Sequence, residues 1–168
     1  MHVRTLATFG PAQPFHSNRQ MDAFPIAVAF ITNGDARFAF VSKKYTASIF
    51  AVDVGAIEGR PGAAASPWLL AIQQSLDPRT HASEITTQCV WDKPHGISVS
   101  EEGRLLIADD TSGIHVIDLR EGTPAAPRAC SVLSGTAEKD YNFRGVRWTS
   151  NATALLMERN GPGTVYHW

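Results

Sequence analysis

Two groups of side chains in this sequence stand at spacings that chemistry can use. His95 lies between Pro94 and Gly96 at the head of an apolar run, and Arg144 lies before Gly145 at the head of another. Ile26 occupies the same place in a third run. Arginine presents a planar fork of donors suited to carboxylate or phosphate, and histidine can donate a second bond. His95 and Arg144 therefore form a candidate site for a small anionic ligand. The plainer alternative has His95 satisfying backbone groups at a strand entry and Arg144 paired with a nearby carboxylate. The second group is Asp109 and Asp110, with Glu158-Arg159 and Lys43-Lys44-Tyr45 at the matching places of the other two runs. Paired acids could serve general acid/base work, hold a cation or contribute to the same ligand site. Aspartate ahead of Thr111-Ser112-Gly113 also accepts backbone N–H groups in a turn, which is its commoner use.

The elements that carry these residues repeat. Residues 94–100, the turn Glu101-Glu102-Gly103-Arg104, residues 105–110, the turn Thr111-Ser112-Gly113 and residues 114–119 read as strand, turn, strand, turn, strand. Glycine sits in each turn and β-branched residues fill the strands. The same order runs through residues 26–30, the turn Asn33-Gly34-Asp35, residues 38–41 and residues 49–54. It returns in residues 144–148, 154–158 and 164–168. Taking Ile26, His95 and Arg144 as equivalent, the spacings are 69 and 49 residues. The second is near the roughly 40–50 residues of a four-stranded propeller blade, and the first then needs an insertion, placed at 55–83. Within it, Ser66-Pro67 opens an apolar run to Leu76 that Asp77-Pro78 closes, a helix start and stop, with a strand as the alternative. Outer fourth strands are expected at 84–91 and 128–134, and residues 3–9 supply one for the last repeat.

The run from Pro94 to Asp109 resembles the blade signature of YVTN/NHL-type β-propellers: proline, any residue, glycine, a short strand, a glycine turn, then an apolar strand ending in aspartate. Glu101 and Glu102 replace the proline and aspartate usual in that turn. Gluconolactonase-like and soluble sugar dehydrogenase propellers have similar blades. The resemblance implies an all-β fold of about three four-stranded blades in one domain: blade 1 over 25–91, blade 2 over 94–134, blade 3 over 143–168 closed by the strand at 3–9. In gluconolactonase-like propellers the position of His95 contributes to a divalent-metal site, typically as asparagine or aspartate. Here the three equivalents are isoleucine, histidine and arginine, none an oxygen ligand, so no metal and no cofactor carry over.

Composition bounds the rest. In 168 residues the 15 Lys and Arg nearly balance the 16 Asp and Glu. That argues against a nucleic-acid clamp or a polybasic membrane surface. No apolar run approaches a membrane span, and no secretory leader precedes the first repeat, which makes cytoplasmic the default expectation. Cys89 and Cys130 lack Cys-x-x-Cys spacing and read as two separate buried thiols. His2, His16, His81, His115 and His167 show no ligand spacing, and His115 reads as a mid-strand packing residue. No nucleophile elbow, phosphate loop or dinucleotide fingerprint is present. The expected function is a propeller module binding a small anionic ligand or a protein partner. A lactonase- or sugar-dehydrogenase-like enzyme, degenerate or with an oligomeric site, is the alternative. Three blades leave two apolar end faces, so a homodimer completing a six-bladed ring is expected.

Overall fold

The glycine-punctuated runs become antiparallel meanders. The structure is a computed structural model, and it describes residues 25–43, 48–91, 93–109, 112–121, 127–133, 143–150, 152–158 and 164–167. Strands β1 (Pro25–Asn33), β2 (Ala36–Lys43) and β3 (Ser48–Asp53) are followed by helices α1 (Val54–Ile57) and α2 (Pro67–Gln74), then by β4 (Ala82–Thr86). β5 (Pro94–Val99), β6 (Arg104–Asp109), β7 (Gly113–Asp118) and β8 (Cys130–Leu133) come next. β9 (Phe143–Ser150), β10 (Thr153–Glu158) and β11 (Thr164–His167) complete the described elements. They form two four-stranded sheets, β1–β4 and β5–β8, and a three-stranded sheet, β9–β11, each in sequence order. The expected strand at 3–9 lies outside the described residues, as do Asp110, Lys44, Tyr45 and Arg159.

The sheets stack face to face with the second in the middle, and its central strand shows why. Side chains alternate across a pleated strand. Leu105 and Ile107 of β6 join one buried cluster with Phe38, Phe40, Ile49 and Ile85 of the first sheet. Leu106 and Ala108 join another with Val146, Ala154 and Leu156 of the third. A strand covered on both faces reads as a continuous apolar run, as Leu105 to Ala108 does. Fully burying each such aliphatic side chain stabilises the fold by about 1.5–3 kcal/mol.

The insertion braces the first two sheets. Pro67 starts α2 without needing an N–H partner, and Trp68, Leu69 and Ile72 enter the core between the first two sheets. Trp68 Nε1 donates to the Glu101 carbonyl at 3.1 Å, and its ring lies against Gly103, whose φ of +85° closes the β5–β6 turn. A Cβ at Gly103 would meet Trp68 at 2.8 Å, so this turn needs glycine for conformation and for space. Ser66 is the N-cap by position, yet its backbone N–H donates to Asn33 Oδ1 at 2.7 Å and its buried hydroxyl finds no partner.

Two expectations are corrected. At most one helix was expected, but the described residues hold two. The run at 49–54 leaves the sheet at Asp53, whose Oδ1 accepts from Ala56 N at 2.9 Å and caps the single turn α1. The cysteines are not separate thiols: Cys89 and Cys130 form a disulfide, their Cα atoms 5.3 Å apart. The physical reason is an edge contact between the first two sheets. β4 ends at Thr86, and Thr87 then bridges Arg128 in parallel, with Arg128 N donating to Thr86 O and Gln88 N to Arg128 O. That contact brings together residues 41 apart in sequence. Among the described residues no helix is long and apolar enough to cross a membrane.

Candidate functional site

The three equivalent positions carry one local irregularity. Pro25 pairs with Lys43 and Ala27 with Ser42; Pro94 pairs with Asp109 and Gly96 with Ala108; Phe143 pairs with Glu158 and Gly145 with Met157. In each case one inner-strand residue is skipped, and the skipped residues are Ile26, His95 and Arg144. A bulge of this kind leaves its residue out of the ladder and re-aims the side chain. The spacings of 69 and 49 residues are therefore matched by backbone geometry, although the three residues differ in type.

His95 and Arg144 meet. Arg144 Nη1 lies 2.7 Å from His95 Nε2 and 3.2 Å from Nδ1. A guanidinium only donates, so in this contact a ring nitrogen of His95 accepts. The approach depends on glycine: a Cβ at Gly96 would lie 2.9 Å from Gly145 Cα and from Val146 N. Further along the strands, Ser98 Oγ accepts from Trp148 N at 3.0 Å, and Trp148 Nε1 donates to the Arg104 carbonyl. An open groove of about 440 Å³ crosses β1, β5 and β9 further along, with Val28 and Phe30, Ile97 and Val99, and Arg147 and Trp148 in its lining.

Asp109 is fully buried and committed to the polypeptide around it. Its Oδ2 accepts from Lys93 N at 2.7 Å, and its Oδ1 accepts from Ser112 N at 2.8 Å and Ser112 Oγ at 2.9 Å. This is the turn role its place before a Ser-Gly pair suggested. Asp110 lies outside the described residues.

A second cluster was missed by residue-by-residue reading. Ser112 Oγ lies 2.7 Å from His115 Nε2, and His115 Nδ1 lies 3.8 Å from Cys130 Sγ. His115 is buried, and Trp91 covers it edge-on with ring centroids 6.0 Å apart. Burial pushes the His115 pKa down, and the Asp109 carboxylate opposes that shift. The ligand atoms of Cys89, His115 and Cys130 all lie within 4.8 Å of one another. The available signal was the i, i+3 placement of Ser112 and His115 around a tight turn. It points nowhere until the two sheet edges are joined. Nearby on that edge, Arg128 is buried with Nε and Nη1 lacking hydrogen-bond partners, and desolvation lowers its pKa.

No protein-family model matches this chain, and no curated protein matches its sequence.

Proposed function

We propose that this chain is a ligand-binding module of the β-propeller type. Its site would lie where β5 and β9 begin, and its ligand would be a small carboxylate or phosphate. The observation that carries this reading is the shared bulge at Ile26, His95 and Arg144, which skips one residue at the start of β1, β5 and β9 alike. Two of the three meet there, with a guanidinium supplying charge and a fork of donors. The three-fold meander and the stacking of neighbouring sheets support the propeller assignment. Val28 and Phe30, 49% and 70% exposed, together with Met157, 53% exposed, suit a ring in which a second copy covers the outward faces of the first and third sheets.

Calorimetric titration with citrate and with inorganic phosphate, on protein of known solution mass, tests the reading. Arg144→Ala should weaken anion binding roughly 10- to 100-fold, the value of one or two charge-assisted hydrogen bonds, and leave calcium titrations unchanged. Equal anion affinity in the variant, or tight calcium binding that it abolishes, overturns the assignment.

A further inference from the structure

We propose that Cys89, Cys130 and His115 form a second site, away from the inner-strand ends: a reducible disulfide that, once opened, holds a zinc ion through two thiolates and one imidazole. Asp109 Oδ1 can only accept, so the Ser112 hydroxyl spends its one proton there, at 2.9 Å. Ser112 Oγ must then accept from His115, at 2.7 Å, which places the imidazole proton on Nε2. The lone pair of Nδ1 is left facing Cys130 Sγ at 3.8 Å. A disulfide sulfur carries no hydrogen, so in the oxidised form this buried lone pair faces an atom that cannot donate to it. A thiol or a metal ion at the same place satisfies it.

The surroundings fit an ion better than a hydrogen bond alone. Two sulfurs and one imidazole nitrogen within 4.8 Å of one another can close around a tetrahedral centre with Zn–S near 2.3 Å and Zn–N near 2.0–2.1 Å. The remaining nitrogen of a metal-bound histidine almost always donates to an oriented partner, and the Asp109–Ser112 pair provides one. Trp91 covers the ring. Cys89 and His115 are buried while Cys130 is half-buried, which leaves a fourth position for water or an outside donor. Soft thiolates with imidazole select zinc over the hard cations that oxygen sites take.

The chemistry balances with one co-reactant, a small dithiol. It gives two electrons to the Cys89–Cys130 bond, closes to its own disulfide and leaves two protein thiols. Zinc then displaces both thiol protons to solvent and forms two Zn–S bonds. His115 contributes its lone pair without losing a proton. The ion would replace the covalent link as the tie between the first two sheets.

The test uses the whole chain, reduced with dithiothreitol, desalted without oxygen and titrated with Co²⁺. The reduced protein should take one Co²⁺ per chain with a sulfur-to-cobalt charge-transfer band, and the oxidised protein none. Zinc should recover the melting temperature lost on reduction. His115→Ala should lose the tetrahedral spectrum, and Ser112→Ala should bind roughly tenfold or more weakly while keeping it. If His115→Ala does not fold, the reduced wild type and Ser112→Ala decide. A reduced wild type without the band overturns the proposal, as does reduction-induced unfolding that zinc does not reverse, or a Ser112→Ala affinity equal to the wild type's.

Discussion

The inner ends of the sheets and their outer edges are joined by different physics. At the inner end, β5 and β9 touch because Gly96 has no side chain at the point of contact, which lets its backbone lie against Gly145 and Val146. The bulged residues beside them, His95 and Arg144, are half-buried and held by a polar contact. At the outer edge the first and second sheets are held by a covalent bond and a parallel bridge, beside a hydrogen-bonded Asp109–Ser112–His115 chain within the second sheet. The first arrangement leaves charged groups within reach of solvent, as a binding site requires. The second removes polar groups from water and makes each depend on the next. Repeats of one layout can carry unrelated devices at different edges, because only the strand cores are constrained by packing.

The sharpest way to break that contrast is to cut the outer link. Replacing both Cys89 and Cys130 by alanine should cost about 3–4 kcal/mol for a loop of this size, or roughly 10 °C in melting temperature. Thermal melts of oxidised wild type and variant measure it. An unchanged melting temperature would show that the parallel bridge alone holds the edge.

The inner contact is expected to be sensitive to a single carbon. Gly96→Ala puts a Cβ 2.9 Å from backbone atoms that have no flexible end to move, so it should cost about 1–3 kcal/mol and separate His95 from Arg144. Gly145→Ala meets only the Met157 side chain, at 3.4 Å and beyond, and should be clearly milder. Urea denaturation of the two variants side by side tests the asymmetry. Equal losses would mean that the close approach of the strands is not what glycine provides.

The smallest effect should have the opposite sign. Arg128 sits on the outer edge with a buried guanidinium whose Nε and Nη1 have no partner. Its backbone already makes the bridge to Thr86 and Gln88. Arg128→Met keeps the backbone contact and the aliphatic volume while removing the unsatisfied donors, and should stabilise by about 1 kcal/mol. A destabilised variant in chemical denaturation would show that the charge has a structural task at the edge.

Much of the architecture was written locally. Strand, turn, strand order follows from alternating or continuous apolar runs broken by glycine, and the turns at Gly34, Gly103 and Gly113 do adopt positive φ. The helix at Pro67 was legible because proline at the first helical position is a backbone signal. His95 and Arg144 could be matched because proline and glycine mark the inner-strand entry in the second repeat, and glycine marks it again in the third. What could not be read depended on distant parts of the chain meeting. The one-turn α1 has too few residues for a period, and only Asp53 caps it. His115 looked like a packing residue because its partners, Ser112 and Cys130, lie on a turn and on another strand. Cys89 and Cys130 become neighbours only when the edge strands of two sheets dock. Short-range backbone preference and side-chain periodicity act within a few residues, so the sequence alone determined the strand meanders, their order and the helix at Pro67. Which side chains share a buried space is decided by sheet-on-sheet packing across 40 to 70 residues of chain, and only the tertiary structure decided that.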